Sequence, residues 1–146
     1  MKDKYIILEL IPTKFKDGDI IQLSALKIDG LKLIDRFDYR LNEDKIIYPD
    51  LLKIINYDKD KFIYKNSSKE ILKEFKKWSK NIPLVILNNK YTYNYIKDLK
   101  SEINYIEEKL NMKYSDDIIE LIIDKYHLQP SNYIVDLLYE ALIEEN

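Results

Sequence analysis

The sequence contains no cysteine, which excludes disulfides and thiolate metal sites. Its single histidine, His127, leaves an ordinary zinc site without its nitrogen ligands. Glycine occurs twice and proline four times, and each of these residues falls where one element gives way to another. No apolar run approaches the ~20 residues of a membrane-spanning helix, and no signal-peptide pattern opens the chain. The expectation is a cytoplasmic protein without membrane contact. Basic and acidic residues nearly cancel, at 24 against 26 for a net charge of −2. No global basic field therefore points to nucleic acid, although a local patch can still bind it.

What is present is a chain of 146 residues, 46% hydrophobic and 34% charged. That is enough for one globular domain with a core of its own. Its organising stretch is Lys4–Thr13, a continuous apolar run closed by Pro12. Such a run reads as a strand buried on both faces. Glu9 sits inside it. A carboxylate there must either open on solvent at the strand's exit or meet a cation or hydrogen-bond donors.

A lysine-rich loop ending at Gly18 follows, then a strand over Asp19–Ile28. Asp29-Gly30 signals a tight hairpin of the I′ kind. Leu31–Leu41 alternates, and Ile34-Asp35 marks a bulge between its halves. Asn42–Asn66 reads as loops with short helical turns. Ser67-x-x-Glu70 is a capping box. It opens a helix with Ile71, Leu72, Phe75 and Trp78 on one face and Lys69, Lys73, Lys76, Lys77 and Lys80 on the other. A solvated helix back is the ordinary reading of that stripe, and a binding patch is the other.

Pro83–Leu87 reads as a second buried strand. Tyr95, Ile96, Leu99, Ile103, Ile106 and Leu110 then fall at the spacing of one long helix. Its opening tyrosines, Tyr91, Tyr93 and Tyr95, point to different faces at helical pitch, so packing explains them better than a base-stacking platform. Lys113–Ser115 reads as a short edge strand and Asp116–Tyr126 as a helix. The last helix, capped by Ser131 or Asn132, carries Ile134 to Leu142. His127 lies at a helix end near the carbonyl dipoles. The Lys4–Thr13 and Pro83–Leu87 strands, joined by a crossover containing a helix, should be parallel. A mixed sheet with helices on both faces results.

In this order the segments resemble the DEDD-type 3′–5′ exonucleases of the ribonuclease-H-like fold, the class that includes proofreading subunits of DNA polymerases. Tyr5–Thr13 resembles the first motif, in which an aspartate and a glutamate two residues apart precede two threonines. Ile20–Gly30 is similar to the family's second strand and turn. Arg36-Phe37 resembles its third-strand ending, and Ile71–Phe75 its first helix. Leu84–Ile96 resembles the second motif and Ser131–Asp136 the third. The resemblance implies a three-layer α/β/α domain spanning 1–146, with a mixed five-stranded sheet in the order 3-2-1-4-5. It also implies two-metal hydrolysis, in which four carboxylates hold two Mg²⁺ or Mn²⁺ ions.

Position by position, the family's ligands thin out here. Glu9 matches the first acid, and Ile11 stands at the second. If the register slips so that Glu9 is the second acid, the first becomes Ile7. In the second motif Asn88 and Tyr91 match the family's Asn and aromatic, but Thr92 stands at the acid. Asp136 matches the last aspartate, with Ser131 at the histidine position. Glu9 and Asp136 thus remain as remnant catalytic carboxylates and could hold at most a weak metal ion. Asp17, Asp19, Asp116 and Asp117 are other acids able to enter the site, without a spacing argument for any of them.

The implied function is a degenerate exonuclease-like domain without nuclease activity or a required cofactor. It would bind single-stranded nucleic acid or a protein partner, with Asn88, Tyr91 and the five lysines as binding candidates. The alternative is an active Mg²⁺- or Mn²⁺-dependent 3′–5′ exonuclease with an unusual ligand set.

Overall fold

A computed structural model describes residues 4–14, 18–42, 61–89, 91–131 and 133–146. Strands β1 (Lys4–Pro12), β2 (Ile20–Asp29) and β3 (Lys32–Leu41) form an antiparallel meander. A short strand, β4 (Ile63–Lys65), pairs parallel to β3. Helix α1 (Ser68–Ser79) crosses over to β5 (Leu84–Ile86), which is parallel to β1 as expected. Helix α2 (Thr92–Ile96) and a 3₁₀ turn (Lys97–Leu99) lead to β6 (Ile103–Tyr105), parallel to β5. Helices α3 (Ile106–Lys109), α4 (Ile118–Tyr126) and α5 (Ile134–Glu145) complete the described chain.

Strand β1 divides the core, because successive side chains point to opposite faces of a sheet. Ile6, Leu8 and Leu10 pack with Ile71 and Phe75 of α1 and Ile96 of α2. Ile7 packs with Ile122 of α4 and with Val135 and Leu138 of α5. Helices therefore cover both faces of a mixed sheet. Ile6, Ile7 and Leu8 are essentially inaccessible, as the unbroken apolar run required.

The sheet has six strands, in the order β4-β3-β2-β1-β5-β6, rather than five. The additional strand, β4, comes from the segment read as loops, of which 43–60 lie outside the described residues. Three residues flanked by polar chain carry too little alternation to announce a strand. Without β4 the remaining order is β3-β2-β1-β5-β6, but its last strand is Ile103–Tyr105 and not the expected Lys113–Ser115.

The long helix is also corrected. Lys100 takes a left-handed φ of 59°, and β6 follows in its place. The helical stripe had joined residues that belong on two sides of the sheet. Tyr95, Ile96, Leu99 and Ile103 pack with the first cluster, whereas Ile106 and Leu110 pack with the second. One straight helix could not serve both. Lys113–Ser115 forms no strand, because β6 already occupies the edge beside β5.

Smaller features divide similarly. The bulge falls at Ile34, where pairing passes from Lys27↔Asp35 to Ile28↔Leu33. Because Asp29 pairs with Lys32, the hairpin loop is Gly30-Leu31. Only Gly30 has a positive φ there, +67°, so the turn is not type I′, which needs two such residues. Ser67 Oγ accepts the Glu70 N–H at 3.2 Å, one half of the capping box. Helix α5 starts after Tyr133, whose N–H donates to Ser131 Oγ at 3.1 Å. Ser131 therefore orders the approach rather than capping the helix, and Asn132 lies outside the described residues. His127 ends α4 in a left-handed conformation, φ 56°, with its N–H on Ile123 O.

Candidate functional site

At the C-terminal ends of the parallel neighbours β1 and β5 the surface opens into two adjoining hollows, about 460 and 180 Å³. They share Asn89, Tyr91, Tyr114 and Asp116. Ile11, Pro12 and Lys14 line the larger, and Glu9 lines the smaller. Helical Cβ positions and strand pleats cannot supply such a set alone. It arises because β1 ends at Pro12, β5 ends at Ile86, and the irregular link from α3 to α4 returns across both.

Each wall is fixed by backbone chemistry. Asn89 Oδ1 accepts the N–H groups of Tyr91 at 3.3 Å and Thr92 at 2.9 Å. This satisfies donors that the start of α2 would otherwise leave unpaired. Asn88 is exposed, and its N–H donates to Glu107 Oε1 at 2.9 Å. At the rim, the Tyr95 hydroxyl donates to Lys14 O at 2.6 Å and accepts the Gly18 N–H at 3.1 Å. Gly18 is required by close approach. A Cβ there would lie 2.5 Å from Thr13 Oγ1 and 2.7 Å from Lys14 Cγ.

The electrostatics of the cleft favour protonated phenols. Burial raises the Tyr91 pKa, and the nearby Glu9 raises it further. Tyr114 is raised by burial, then by Asp116 and Glu107. Behind this wall Glu107 is only 4% exposed. Burial raises its carboxyl pKa, against the opposing effect of the Asn88 N–H.

Glu9 is half-buried and pairs in register with Ser24, which pairs in turn with Asp38. Asp136, also half-buried, begins α5 above the same face, since α5 and Ile7 share a cluster. Its Oδ1 accepts from Arg36 Nη1 at 2.7 Å and its Oδ2 from Nη2 at 3.5 Å, while Arg36 Nε donates to Asp38 Oδ2 at 3.1 Å. Burial lowers the Arg36 pKa, but its hydrogen bonds to Asp136 and Asp38 outweigh this and hold it raised. Buried Gln22 Nε2, Ser24 Oγ and Asp38 Oδ1 have no hydrogen-bond partner among the described residues.

Other sequence candidates scatter. Ile11, expected to share the face of Ile7 and Glu9, packs with the opposite cluster where β1–β2 pairing slips between Ile11 and Pro12. Thr92 is 2% exposed, and Ser131 is exposed. Lys69, Lys73, Lys76, Lys77 and Lys80 are all exposed on α1. The three tyrosines separate as helical pitch requires: Tyr91 enters the cleft, Tyr93 faces solvent and Tyr95 ties the rim.

Asp116 and Tyr114 enter the cleft without a spacing signal. Asn89 rather than Asn88 presents its side chain there. Glu107 had no signal beyond a carboxylate among apolar neighbours. Among the described residues, no three Asp, Glu, His or Cys side chains gather closely enough to hold a metal ion. No protein-family model matches the chain, and no curated protein matches it.

Proposed function

We propose that this chain is a ribonuclease-H-like domain of the DEDD exonuclease type that no longer performs two-metal hydrolysis and serves as a binding module. The observation that carries this reading is the state of Asp136. The carboxylate that matches the family's last metal ligand is held by Arg36 at 2.7 Å. With Ile11 apolar and Thr92 buried against Asn89, the donor set does not fit two divalent ions, whose four positive charges need anionic oxygen ligands. The cleft keeps two phenols, an amide, a lysine and the carboxylates of Glu9 and Asp116 around an apolar floor. That lining suits a base or an aromatic side chain, held by stacking and a few polar contacts. The strand order without β4 also supports the ribonuclease-H-like reading.

The test combines two measurements. Single-stranded DNA and RNA are incubated with the protein in Mg²⁺ or Mn²⁺, and amide shifts are followed by NMR as a dinucleotide is added. The expected result is no mononucleotide release, with shifts confined to Asn89, Tyr91 and Tyr114. One observation favours a second reading, an active exonuclease with an unusual ligand set: Asp116 lines the same hollow as Glu9. Hydrolysis abolished by either Glu9→Ala or Asp116→Ala would establish that alternative.

A further inference from the structure

Helix α1 carries its lysines in one arc. At about 100° per residue, Lys76, Lys69, Lys80, Lys73 and Lys77 follow one another around the outer surface, with Glu70 and Glu74 displaced to one margin. Ile71 and Phe75 face the core. Lys69/Lys73 and Lys73/Lys77 are like-charge pairs four residues apart within the helix, an arrangement that destabilises it, and Lys80 follows as its left-handed C-cap. Both ion pairs found among the described residues belong to Arg36, so neither relieves the stripe.

The positive surface continues past the end of α1. Lys27 Nζ donates to Trp78 O at 2.7 Å and lies 4.4 Å from the Trp78 ring centroid. The Lys27 pKa is lowered chiefly by burial, with Lys80 and Lys4 also pressing it down against the pull of Asp35. Lys4 stands two residues along β1 from Ile6, the register partner of Lys27, so Lys4 and Lys27 lie on neighbouring strands at the end where α1 stops. Helix α1 begins beside Asp19 and Ile20, whose groups meet Ser68 Oγ, and ends beside Lys27, so on its one face of the sheet the stripe runs from the cleft end of the strands to the other end.

We infer that the outer face of α1, extended by Lys27 and Lys4, binds the phosphate backbone of a single-stranded nucleic acid. From Lys69 to Lys80 the stripe covers about 16 Å, with a lysine every turn or so. A regularly charged polymer can follow that line. A base-stacking surface stands on the same side of the sheet: Tyr93 of α2 is 47% exposed, and α2 joins α1 in covering the first cluster. Single-stranded nucleic acid offers both features at once, a regularly charged backbone for the lysines and unpaired bases able to stack on an exposed aromatic ring of the same sheet face. This inference rests on the binding-module reading and assigns its partner to a surface outside the cleft.

The experiment measures fluorescence anisotropy of a labelled single strand of about 12 nucleotides as salt is varied. About 0.7 of log–log slope per contacted phosphate is expected for single strands, so five contacts weaken binding roughly 100-fold between about 50 and 200 mM salt. Lys73→Gln/Lys76→Gln/Lys80→Gln should cut that loss to less than about 10-fold. Lys32→Gln/Lys109→Gln/Lys113→Gln, exposed elsewhere, should leave the slope unchanged. Tyr93→Ala should weaken binding at every salt concentration without changing the slope.

Equal slopes in the two triple variants would overturn the inference, as would binding only to a polyglutamate peptide. Binding insensitive to the stripe but abolished by Tyr91→Ala/Tyr114→Ala would remove it while leaving the cleft as the binding site. Stripe binding without amide shifts at Asn89, Tyr91 or Tyr114 would support it and remove the cleft reading instead.

Discussion

Replacing Arg36 by Met should destabilise the domain more than removing the charge of either carboxylate it holds. The guanidinium gives Asp136 bonds of 2.7 and 3.5 Å and Asp38 one of 3.1 Å. The Arg36 and Asp136 side chains are 35% and 30% exposed. Solvent screens that pair, and such pairs contribute about 0–1 kcal/mol. Asp38 differs: its side chain is 10% exposed, and its Oδ1 has no hydrogen-bond partner among the described residues. Without Arg36 it becomes a nearly buried carboxylate stripped of its cation. That costs about 3–5 kcal/mol when burial is complete, and about 2 kcal/mol at a site still reached from one edge.

The total for Arg36→Met is then about 2–3 kcal/mol, against about 0.5 kcal/mol for Asp136→Asn, which keeps an acceptor oxygen. Urea denaturation should show midpoint shifts of about 1 M or more for the first and a few tenths for the second. Equal costs for the two variants would refute the account of Asp38. A metal titration tests the functional half. If Asp136 were a working metal ligand, Mn²⁺ would raise the wild-type melting temperature by mass action, and Asp136→Asn would remove the rise. The clamp predicts no Mn²⁺-dependent difference between them.

Glu107→Gln should flatten the pH dependence of stability on the acid side. The native carboxyl pKa is raised by burial. Its stabilising contribution is therefore complete below the unfolded value of 4.5 and is lost as pH rises through the raised native value. The amide keeps an oxygen for the Asn88 N–H without titrating, so denaturation midpoints across that window should fall less steeply with rising pH than in the wild type. Steeper pH dependence in the variant would contradict the assignment. Tyr95→Phe removes the hydroxyl that joins Lys14 to Gly18, at a cost of about 1 kcal/mol for one part-buried and one exposed bond. Amide exchange should quicken at Gly18 while α1 is unaffected, and unchanged exchange at Gly18 would show that the rim is held otherwise.

Long signals were legible because each uses one physical rule over many residues. The β1 run, the α1 face of Ile71 and Phe75, and the parallel crossover to Pro83–Leu87 all announce themselves this way. The bulge at Ile34 was legible from a single break in alternation. Short elements were not. Residues 63–65 and 103–105 become strands because an existing edge offers them hydrogen bonds, and that offer is invisible to a local pattern. The stripe from Tyr95 to Leu110 misled because spacing alone does not say which side of a sheet a residue faces. The cleft was half legible. Glu9 and Tyr91 followed from their motifs, while Tyr114 and Asp116 arrive on a chain segment whose path is set only by what it packs against.

Glu9 posed the question of how a carboxylate survives within a buried strand, and its neighbours now bear on the answer. By register and alternation, Glu9, Ser24 and Asp38 share a face with Gln22, Arg36 and Arg40. Arg40 is 2% exposed, with Nε and Nη2 on Gln22 Oε1 at 3.1 and 2.6 Å. Arg36 thus holds Asp136 and Asp38 directly, while Arg40, four residues further along β3, is engaged by Gln22 on the same face. A metal-dependent site would leave such carboxylates uncompensated in the free protein, where they repel one another until ions bind. On the proposed reading this chain has replaced a mobile cation with arginines that arrive with the fold. The face is then stable without a ligand, and chemistry requiring bare carboxylates is lost by the same substitution. Reversing one arginine should accordingly destabilise before it restores anything, which is why the stability of Arg36→Met is a more direct probe of this face than a search for activity.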